Sequence, residues 1–273
     1  MEPSERIHVA GHRGLVGSSI VRRLRIDGYQ NLLLRERSDL DLRDAASVHR
    51  FYETERPDIV VLAAARVGGI LANSRCPAEF IHDNLAIQTN VIHSAWQFGA
   101  RKLLFLGSSC IYPRDCPQPI REDYLLTGPL ETSNEPYAIA KIAGLRMCQA
   151  YRRQYGFDAI VAMPTNLYGP GDNFHPMDSH VLPALIRRFH DARERGDPEV
   201  AIWGTGTPRR EFLHVDDLSS AAVFMLRNYS DLDFLNVGTG EDISILELAR
   251  LVAEIVGYQG AIALDQSKPD GTP

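Results

Sequence analysis

Short apolar segments alternate with longer helical patterns through the first 165 residues, and this alternation constrains the fold most. The apolar segments predict strands at residues 7–10, 31–34, 59–63, 102–107 and 159–163. The intervening patterns predict helices at residues 15–27, 44–56, 84–98 and 136–155. Fully apolar strands that alternate with helices are typical of a parallel sheet covered on both faces. The sequence therefore predicts an α/β protein with a doubly wound parallel sheet.

The regular alternation ends near residue 164. Residues 164–180 are rich in Pro, Gly, Asn, Asp and His, which is typical of an ordered loop. Beyond the loop we predict helices at about 181–194, from about 216 and at 244–256, and strands at 200–203 and near 234–237. The last six residues resemble a turn, with no closing helix or strand. This order predicts a smaller lobe that is interleaved with late elements of the first domain.

Composition excludes several classes of function. The net charge is −6 and the pI is near 5.8, which argues against a nucleic-acid partner. The longest apolar stretch, residues 59–65, is far shorter than a membrane span, and the N-terminal residues do not resemble a signal peptide. Four cysteines form no CxxC pair, which argues against disulfides and a zinc site. We expect a cytoplasmic protein without a metal or a membrane anchor.

Glycines at positions 11, 14 and 17 lie between the first strand and the first helix. In a dinucleotide-binding loop, the first glycine allows the tight turn, the second lets the backbone approach a pyrophosphate, and the third allows close helix–strand packing. The helix N-terminus then offers free N–H groups to the phosphates. This position within an α/β alternation favours dinucleotide binding over a purely structural turn. The prediction is a Rossmann-type doubly wound parallel sheet with a smaller, interleaved C-terminal α/β substrate lobe.

The end of the second strand bears on the choice of dinucleotide. Arg35 or Arg37, helped by Arg13, is suited to pair with a ribose 2′-phosphate. Glu36 is a competing contact of the NAD type, and the arginines are also compatible with a solvated turn. We favour NADP. The predicted cofactor contacts in these two segments are Gly11, His12, Arg13, Gly14, Leu15, Val16, Gly17, Arg37, Ser38, Asp39, Leu40, Asp41 and Leu42.

The domain boundaries follow from these patterns. Residues 1–165 form the predicted NADP-binding domain, with a late return at about 208–240. Residues 166–207 and 241–273 form the predicted substrate-binding lobe, which we expect to be incomplete at its C-terminus.

Tyr137 and Lys141 are four residues apart and therefore lie on one face of the predicted helix. A nearby ammonium favours the phenolate, so we expect Lys141 to lower the pKa of Tyr137. The spacing alone is common on ordinary helices. Combined with the glycine loop and with Ser108 at the end of the fourth strand, it indicates a catalytic set, because open α/β sheets keep their sites at the carboxyl ends of the strands. Ser108 can donate to a carbonyl oxygen where Tyr137 supplies or removes a proton.

The chain resembles the extended short-chain dehydrogenase/reductases and, within them, the GDP-L-fucose synthase family. The stretches that carry the resemblance are GHRG (11–14), VGGI (67–70), LGSSCIYP (106–113), NEPYAIAK (134–141), MPTNLYGP (163–170), NFHP (173–176), WGTGTP (203–208) and REFLHVDD (210–217). The resemblance implies epimerisation of GDP-4-keto-6-deoxy-D-mannose at C3 and C5, followed by reduction of C4 with NADPH.

Epimerisation next to a ketone requires one group to remove a proton and another to deliver one on the opposite face. The resemblance implies that Cys110 is the base and His180 the acid. A buried apolar role for Cys110 and a helix-capping role for His180 are the alternatives. Together with Ser108, Tyr137 and Lys141, the pair favours catalysis.

The resemblance also implies further contacts. The nicotinamide half of the cofactor would contact Leu106, Gly107, Ser108, Ser109, Tyr137, Lys141, Pro164, Thr165, Asn166, Leu167 and His180. The GDP-sugar would contact Arg188, Trp203, Arg210 and Asp270, although an arginine such as Arg188 on a helix is often only solvated. A homodimer through helices 84–98 and 136–155 is implied; the second apolar face of helix 84–98 is equally compatible with burial in its own domain.

Two other classes of function remain open from the sequence. A nucleotide-sugar 4-epimerase or 4,6-dehydratase would share the glycine loop and the Tyr137/Lys141 pair. A simple 4-epimerase needs no second acid/base pair, and dehydratases carry an acidic set where this chain has Ser-Cys-Ile. A dinucleotide sensor would keep the fold but usually loses the Tyr/Lys pair, which is present here.

Overall fold

The computed structural model describes residues 1–175, 179–268 and 270. In its first half the elements are β1 (Ile7–Ala10), α1 (Leu15–Ile26), β2 (Leu32–Leu33), α2 (Ala45–Glu55), β3 (Ile59–Leu62), α3 (Ile70–Arg75), α4 (Pro77–Gln97), β4 (Lys102–Leu106), α5 (Glu135–Tyr155) and β5 (Asp158–Pro164). In its second half they are β6 (Asn166–Tyr168), α6 (Val181–Arg195), β7 (Glu199–Trp203), β8 (Arg209–His214), α7 (Val215–Asn228), β9 (Leu235–Val237), β10 (Asp242–Ser244), α8 (Ile245–Val256) and β11 (Ala261–Asp265).

Six strands form one parallel sheet in the order β2-β1-β3-β4-β5-β9. Every residue of β1, β3 and β4 is buried. Along β3, for example, Val60 and Leu62 join one apolar cluster while Ile59 and Val61 join the other. Successive strand side chains point to opposite faces, so continuous apolar strands give a sheet with two buried faces. The predicted doubly wound fold is confirmed.

The two faces of the sheet are covered by different helices. On one face, α2, α4 and α5 contribute residues such as Tyr52, Ile92 and Leu145. On the other face, α1 and α7 contribute residues such as Ile20 and Val223. The strand order reverses between β1 and β3, and in such sheets the crevice at the carboxyl ends of the strands is where ligands bind.

A second apolar core lies outside the main sheet. Helices α6 and α8 pack around Phe189 and Ala249, both fully buried, and against the parallel pair β7–β11. A three-stranded sheet, β10-β8-β6, adjoins them. In the predicted late return, α7 packs on the main sheet and β9 pairs with β5. The domain boundaries themselves remain a prediction.

Several elements differ from the sequence predictions. Helix α4 begins at Pro77 rather than at residue 84, because proline is well tolerated in the first turn of a helix. The expected loop 164–180 contains the short strand β6, and strands β8, β10 and β11 were not expected. In the described part of the chain, no helix is both long and apolar enough to span a membrane.

Candidate active site

The glycine loop follows β1 and has the geometry that its spacing predicts. Gly11 has φ +86°, and a Cβ there would lie 2.7 Å from the backbone N of Ala64. A Cβ at Gly17 would lie 2.1 Å from the carbonyl oxygen of Gly11, so only glycine allows this approach of helix to strand. At Gly14, the N-cap of α1, the nearest described atom to a Cβ would be 3.5 Å away. The loop is therefore closely packed at Gly11 and Gly17 and has space at Gly14, which fits a pyrophosphate on the N–H groups of α1.

His12 provides an independent test of the cofactor fit. Its Nδ1 atom is buried and has no hydrogen-bond partner among the described residues. Burial, followed by the charge of Arg13, lowers its pKa. A buried polar atom without a partner is costly unless another group satisfies it. The orphaned nitrogen fits a loop that receives a polar ligand.

Two of the arginines proposed for the 2′-phosphate, Arg35 and Arg13, are each paired with a glutamate. Arg35 donates to Glu55 at 2.8 Å and lies over the ring of Phe51, 5.6 Å from its centroid. Glu36 forms an ion pair with Arg13. Arg35 is thus held by the protein, and Glu36 is partly neutralised by an arginine of the glycine loop. Arg13 is the better placed of these two arginines for a 2′-phosphate.

Residues 37–42 lie beside this pair. Arg37 is 72% exposed and lies 3.7 Å from Asp41. Asp41 accepts from Arg43, which holds the pKa of that carboxyl at about 2. Leu40 is buried in the main core. Of the predicted contacts, Leu40 is therefore structural through its side chain, whereas Arg37 lies at the surface in a long ion pair with Asp41.

Lys141 lies one turn after Tyr137 on α5 and is 4% exposed. Its Nζ donates to the carbonyl of Leu106 at 2.8 Å and lies 5.8 Å from the centroid of the Tyr137 ring. Burial lowers the pKa of Lys141 to about 8, opposed by the charge of Cys110. The helix thus holds an ammonium that can lose its charge near neutral pH.

The expectation that Lys141 lowers the pKa of Tyr137 is wrong for this structure. Burial, followed by the proximity of Cys110, raises the pKa of Tyr137 well above its ordinary value, and a hydrogen bond with Ser108 opposes the rise. The phenolate would be desolvated, and the ammonium is directed at a backbone carbonyl instead. Tyr137 rests as a neutral phenol, which suits a proton donor.

Cys110 follows β4 in a short 3-10 turn, Ser109–Ile111, and is half-buried. Burial raises the pKa of its thiol to about 11; a hydrogen bond with Ser108 and the charge of Lys141 oppose this rise. The structure thus brings Ser108, Cys110, Tyr137 and Lys141 into one mutually interacting group. Cys110 rests as a thiol, and its thiolate would depend on Lys141 for stabilisation.

His180 enters from the other lobe, as the N-cap of α6. Its side chain makes no capping hydrogen bond to the described part of α6, so the simple capping alternative is not realised. Desolvation lowers its pKa, opposed by the nearby charge of Asp172. The backbone just before it is fixed from the first lobe, because a Cβ at Gly69 would lie 2.9 Å from the carbonyl oxygen of Ser179.

The segments predicted to line the nicotinamide half lie at the ends of β4 and β5. A Cβ at Gly107 would lie 2.1 Å from the sulfur of Met163, so the backbone there is closely packed. The side chains of Thr165 and Asn166 both donate to the carbonyl of Glu211, at 2.5 and 3.0 Å. The carboxylate of Glu211 accepts from the backbone N–H of Gly240 at 2.7 Å. Sequence reasoning assigned no role to Glu211, although it lies in the REFLHVDD stretch.

The predicted substrate residues lie in the second lobe. Arg188 is half-buried, donates to the carbonyl of Ala201 at 2.7 Å, and has its pKa lowered by burial. It is therefore not a merely solvated arginine. Burial also lowers the pKa of Arg210, opposed by Asp270 and then Glu131.

Trp203 and Asp270 adjoin one turn. The indole of Trp203 is 37% exposed, with the Nζ of Lys268 5.9 Å from its ring centroid. One carboxylate oxygen of Asp270 accepts from the backbone N–H of Thr205 at 2.7 Å. Gly204 has φ +73°, and a Cβ there would lie 2.0 Å from that oxygen. Asp270 therefore binds the turn after Trp203, a contact that the sequence did not indicate.

Comparisons with known proteins agree with this geometry. The profile of the NAD dependent epimerase/dehydratase family matches residues 7–238. GDP-L-fucose synthase 1 of Arabidopsis thaliana is 61% identical over 272 residues, which cover 100% of this chain and 84% of that protein. GDP-L-fucose synthase of Escherichia coli K12 is 54% identical over 278 residues, covering 98% of this chain and 87% of the relative.

Solved structures give the same result. The GDP-mannoheptose C4 reductase MlghC of Campylobacter jejuni, with NADP bound, matches with a TM-score of 0.91 and 39% identity, covering 98% of this chain and 88% of that one. The resemblance seen in the sequence is confirmed. The chain belongs to the NAD dependent epimerase/dehydratase family and, within it, to the GDP-L-fucose synthase family.

Proposed function

We propose that this chain is a bifunctional epimerase–reductase that converts GDP-4-keto-6-deoxy-D-mannose to GDP-L-fucose with NADPH. The observation that carries the proposal is the interacting group of Ser108, Cys110, Tyr137 and Lys141 at the carboxyl end of β4. A plain reductase needs the phenol, the ammonium and the hydroxyl. The thiol within the same group is what an epimerisation next to the ketone requires in addition.

The C3 and C5 protons are acidified because both carbons flank the C4 ketone. Cys110 removes a proton as the thiolate, and the ammonium of Lys141 stabilises that thiolate. His180, carried by the other lobe, delivers a proton to the opposite face of the sugar. Desolvation lowers the pKa of His180, so each imidazolium is a stronger acid than that of an exposed histidine, but fewer molecules carry it at neutral pH.

NADPH, when bound, supplies the hydride for C4. The raised pKa of Tyr137 keeps its proton in place until the C4 oxygen becomes basic, and the phenol then donates that proton. The hydroxyl of Ser108 holds the same oxygen. The hydrogen bond with Ser108, which opposes the rise in the pKa of Tyr137, stabilises the phenolate that is left.

The residues proposed to hold the cofactor form three sets. The loop residues 11–17 receive the pyrophosphate, and Arg13 with Arg37 meets the 2′-phosphate. The open space at Gly14 and the unpartnered Nδ1 of His12 support this assignment. Residues 106–109 and 164–167 would line the nicotinamide half.

In the second lobe, we propose that Arg188, Trp203 and Arg210 bind the GDP-sugar. Two guanidinium groups suit a diphosphate, and an indole that is 37% exposed can cover a nucleobase or a sugar. Asp270 is proposed to act at the same place by fixing the turn beyond Trp203.

We also propose a homodimer through α4 and α5. Trp96 and Tyr155 stack at 4.2 Å between ring centroids on these two helices, and Tyr155 remains 47% exposed. An exposed aromatic pair beside tightly packed helices is typical of an interface. For the compartment we propose the cytoplasm, in keeping with four free cysteines.

The decisive experiment incubates the chain with NADPH and GDP-4-keto-6-deoxy-D-mannose in deuterated water. Nicotinamide absorbance and sugar deuteration are followed together. Loss of NADPH with deuterium at C3 and C5 is expected. Loss of NADPH without deuteration would indicate a simple reductase. The absence of both NADPH loss and deuteration would refute the proposal.

A further inference from the structure

A loop that carries none of the proposed catalytic groups touches both halves of the site. Residues 66–69, here called the double-glycine loop, connect β3 to α3. The side chain of Asn84 pairs with both the N–H and the carbonyl of Arg66, at 2.9 and 3.0 Å. The side-chain amide of Asn73 donates to the carbonyls of both glycines, at 2.8 and 3.1 Å. Both asparagines are at most 5% exposed, so the backbone of the loop is held by buried hydrogen bonds.

One side of the double-glycine loop supports the acid. A Cβ at Gly69 would lie 2.9 Å from the carbonyl oxygen of Ser179, which directly precedes His180. Real Cβ atoms do not approach backbone oxygens so closely, so these two segments of the chain meet only because residue 69 has no side chain. The contact joins the first lobe to the N-terminus of α6.

The other side of the loop supports the phenol. A Cβ at Gly68 would lie 3.2 Å from Cζ of Phe80, which is 2% exposed. The ring of Phe80 meets the ring of Tyr137 edge to face, with centroids 6.3 Å apart and planes at 85°. The loop therefore contacts Phe80, which packs against Tyr137, on one side and Ser179, which precedes His180, on the other.

We propose that Gly69 is a positioning residue that sets His180 for proton delivery, and that the double-glycine loop fixes the acid relative to the phenol. The proposal rests on the proposed epimerase–reductase function. Proton transfer requires donor and acceptor within hydrogen-bond reach, so a small displacement of the acid slows it strongly. Proton transfer at the C4 oxygen uses Tyr137 and not His180, and saturating NADP⁺ compensates for any loss of the cofactor contact expected of His180.

The test measures the two half-reactions separately in the full chain carrying Gly69→Ala. Epimerisation is followed as deuterium entry at C3 and C5 of GDP-4-keto-6-deoxy-D-mannose with NADP⁺ present, so that no reduction occurs. The redox half is followed in reverse: GDP-L-fucose loses a hydride from C4 to NADP⁺ and the proton of its C4 hydroxyl to the protein, giving the ketone. The added methyl must push Ser179 away, so exchange should fall by about tenfold or more. Reverse hydride transfer should stay within about twofold of the unmodified chain.

Gly68→Ala is the matched control, because it adds the same methyl one residue earlier, against Ala72 and Phe80 instead of Ser179. Exchange in this variant should exceed exchange in Gly69→Ala. NADPH affinity and the melting midpoint show whether each variant folds. If Gly69→Ala does not fold, Asn73→Ala replaces it; this variant frees the loop without adding bulk, and the same selective loss of exchange is expected.

Equal loss of both half-reactions, unchanged exchange in Gly69→Ala, or equal loss of exchange in the two glycine variants would overturn the positioning role. If the unmodified chain catalyses neither half-reaction, the proposed function itself is wrong.

Discussion

Epimerisation by this chain should depend on pH through two opposed groups, because Cys110 must lose a proton to act as a base and His180 must carry one to act as an acid. Burial raises the pKa of this thiol to about 11. At pH 7 roughly one molecule in 10⁴ then carries the thiolate, and each further pH unit increases that fraction about tenfold. The pKa of His180 is lowered, so its imidazolium becomes scarcer by about the same factor over this range, and exchange at C3 and C5 should change by less than about twofold between pH 7 and 8.

Exchange should fall above pH 8. Burial lowers the pKa of Lys141 to about 8, so its positive charge is lost as the pH rises through that value. The ammonium is one of the groups that oppose the rise in the thiol pKa, and its loss makes the thiolate harder to form. The profile of exchange against pH should thus bend where Lys141 titrates.

Mass spectrometry of deuterium entry, with NADP⁺ in place of NADPH, isolates this half of the reaction. Cys110→Ser is the control, since a serine hydroxyl is a much weaker acid; its exchange should fall by about 100-fold or more while reverse hydride transfer from GDP-L-fucose persists. Exchange that rises about tenfold per pH unit between pH 7 and 8 would show that His180 does not deliver the proton, and exchange that survives in Cys110→Ser would refute the role of the thiol.

In Tyr137→Phe the rate of C4 reduction, followed by NADPH absorbance, should fall by about 100-fold, while mass spectrometry should still find deuterium at C3 and C5. Loss of exchange with reduction unchanged would contradict this assignment. Arg37→Ala should weaken NADPH binding about tenfold in a fluorescence titration and leave NADH binding unchanged, because only NADPH carries the 2′-phosphate; an equal loss for both nucleotides would exclude that contact. Phe189→Ala removes a fully buried side chain from the second lobe and should cost about 3–5 kcal/mol of unfolding free energy. Denaturant unfolding measures the cost, and a loss below about 1 kcal/mol would show that this core is loosely packed.

Much of the first lobe was predictable because local backbone geometry alone explains which residue type stands at its key positions. Gly11 requires a positive φ and Gly17 requires contact with backbone, so their spacing identifies the loop before any coordinates are known. The fully buried β3 is equally legible as a continuous apolar run, and so are β1 and β4 apart from His8 and Lys102. The predicted start of α4 at residue 84 is seven residues late; a proline such as Pro77 is compatible with a break as well as with the first turn of a helix.

The second lobe was less predictable, because its strands are only partly buried. Strand β8 contains Arg209, Arg210 and Glu211 and shows little apolar alternation, yet it pairs with both β6 and β10. The importance of Glu211 arises from partners distant in sequence, which no local pattern encodes. The pKa of Tyr137 was also unpredictable from the Tyr-x-x-x-Lys spacing, since desolvation depends on the whole fold.

The interleaving of the two lobes has a mechanical consequence. Strand β8 pairs with β6 and β10, so we propose to assign it to the second lobe rather than to the predicted return at 208–240. The chain then passes between the lobes at three places: from β5 to β6, from β8 to α7, and from β9 to β10. A hinge through a single peptide can swing widely, whereas three parallel connections permit rotation only about an axis that lies near all of them.

Glu211 restricts this rotation further. Its carbonyl accepts from Thr165 and Asn166 at the first connection, and its carboxylate accepts from Gly240 at the third. The two connections are thereby clamped to one residue. The lobes should close over a sugar nucleotide through a small, stiff rocking motion, so that selectivity comes from the shape already present in the open crevice rather than from a large closure.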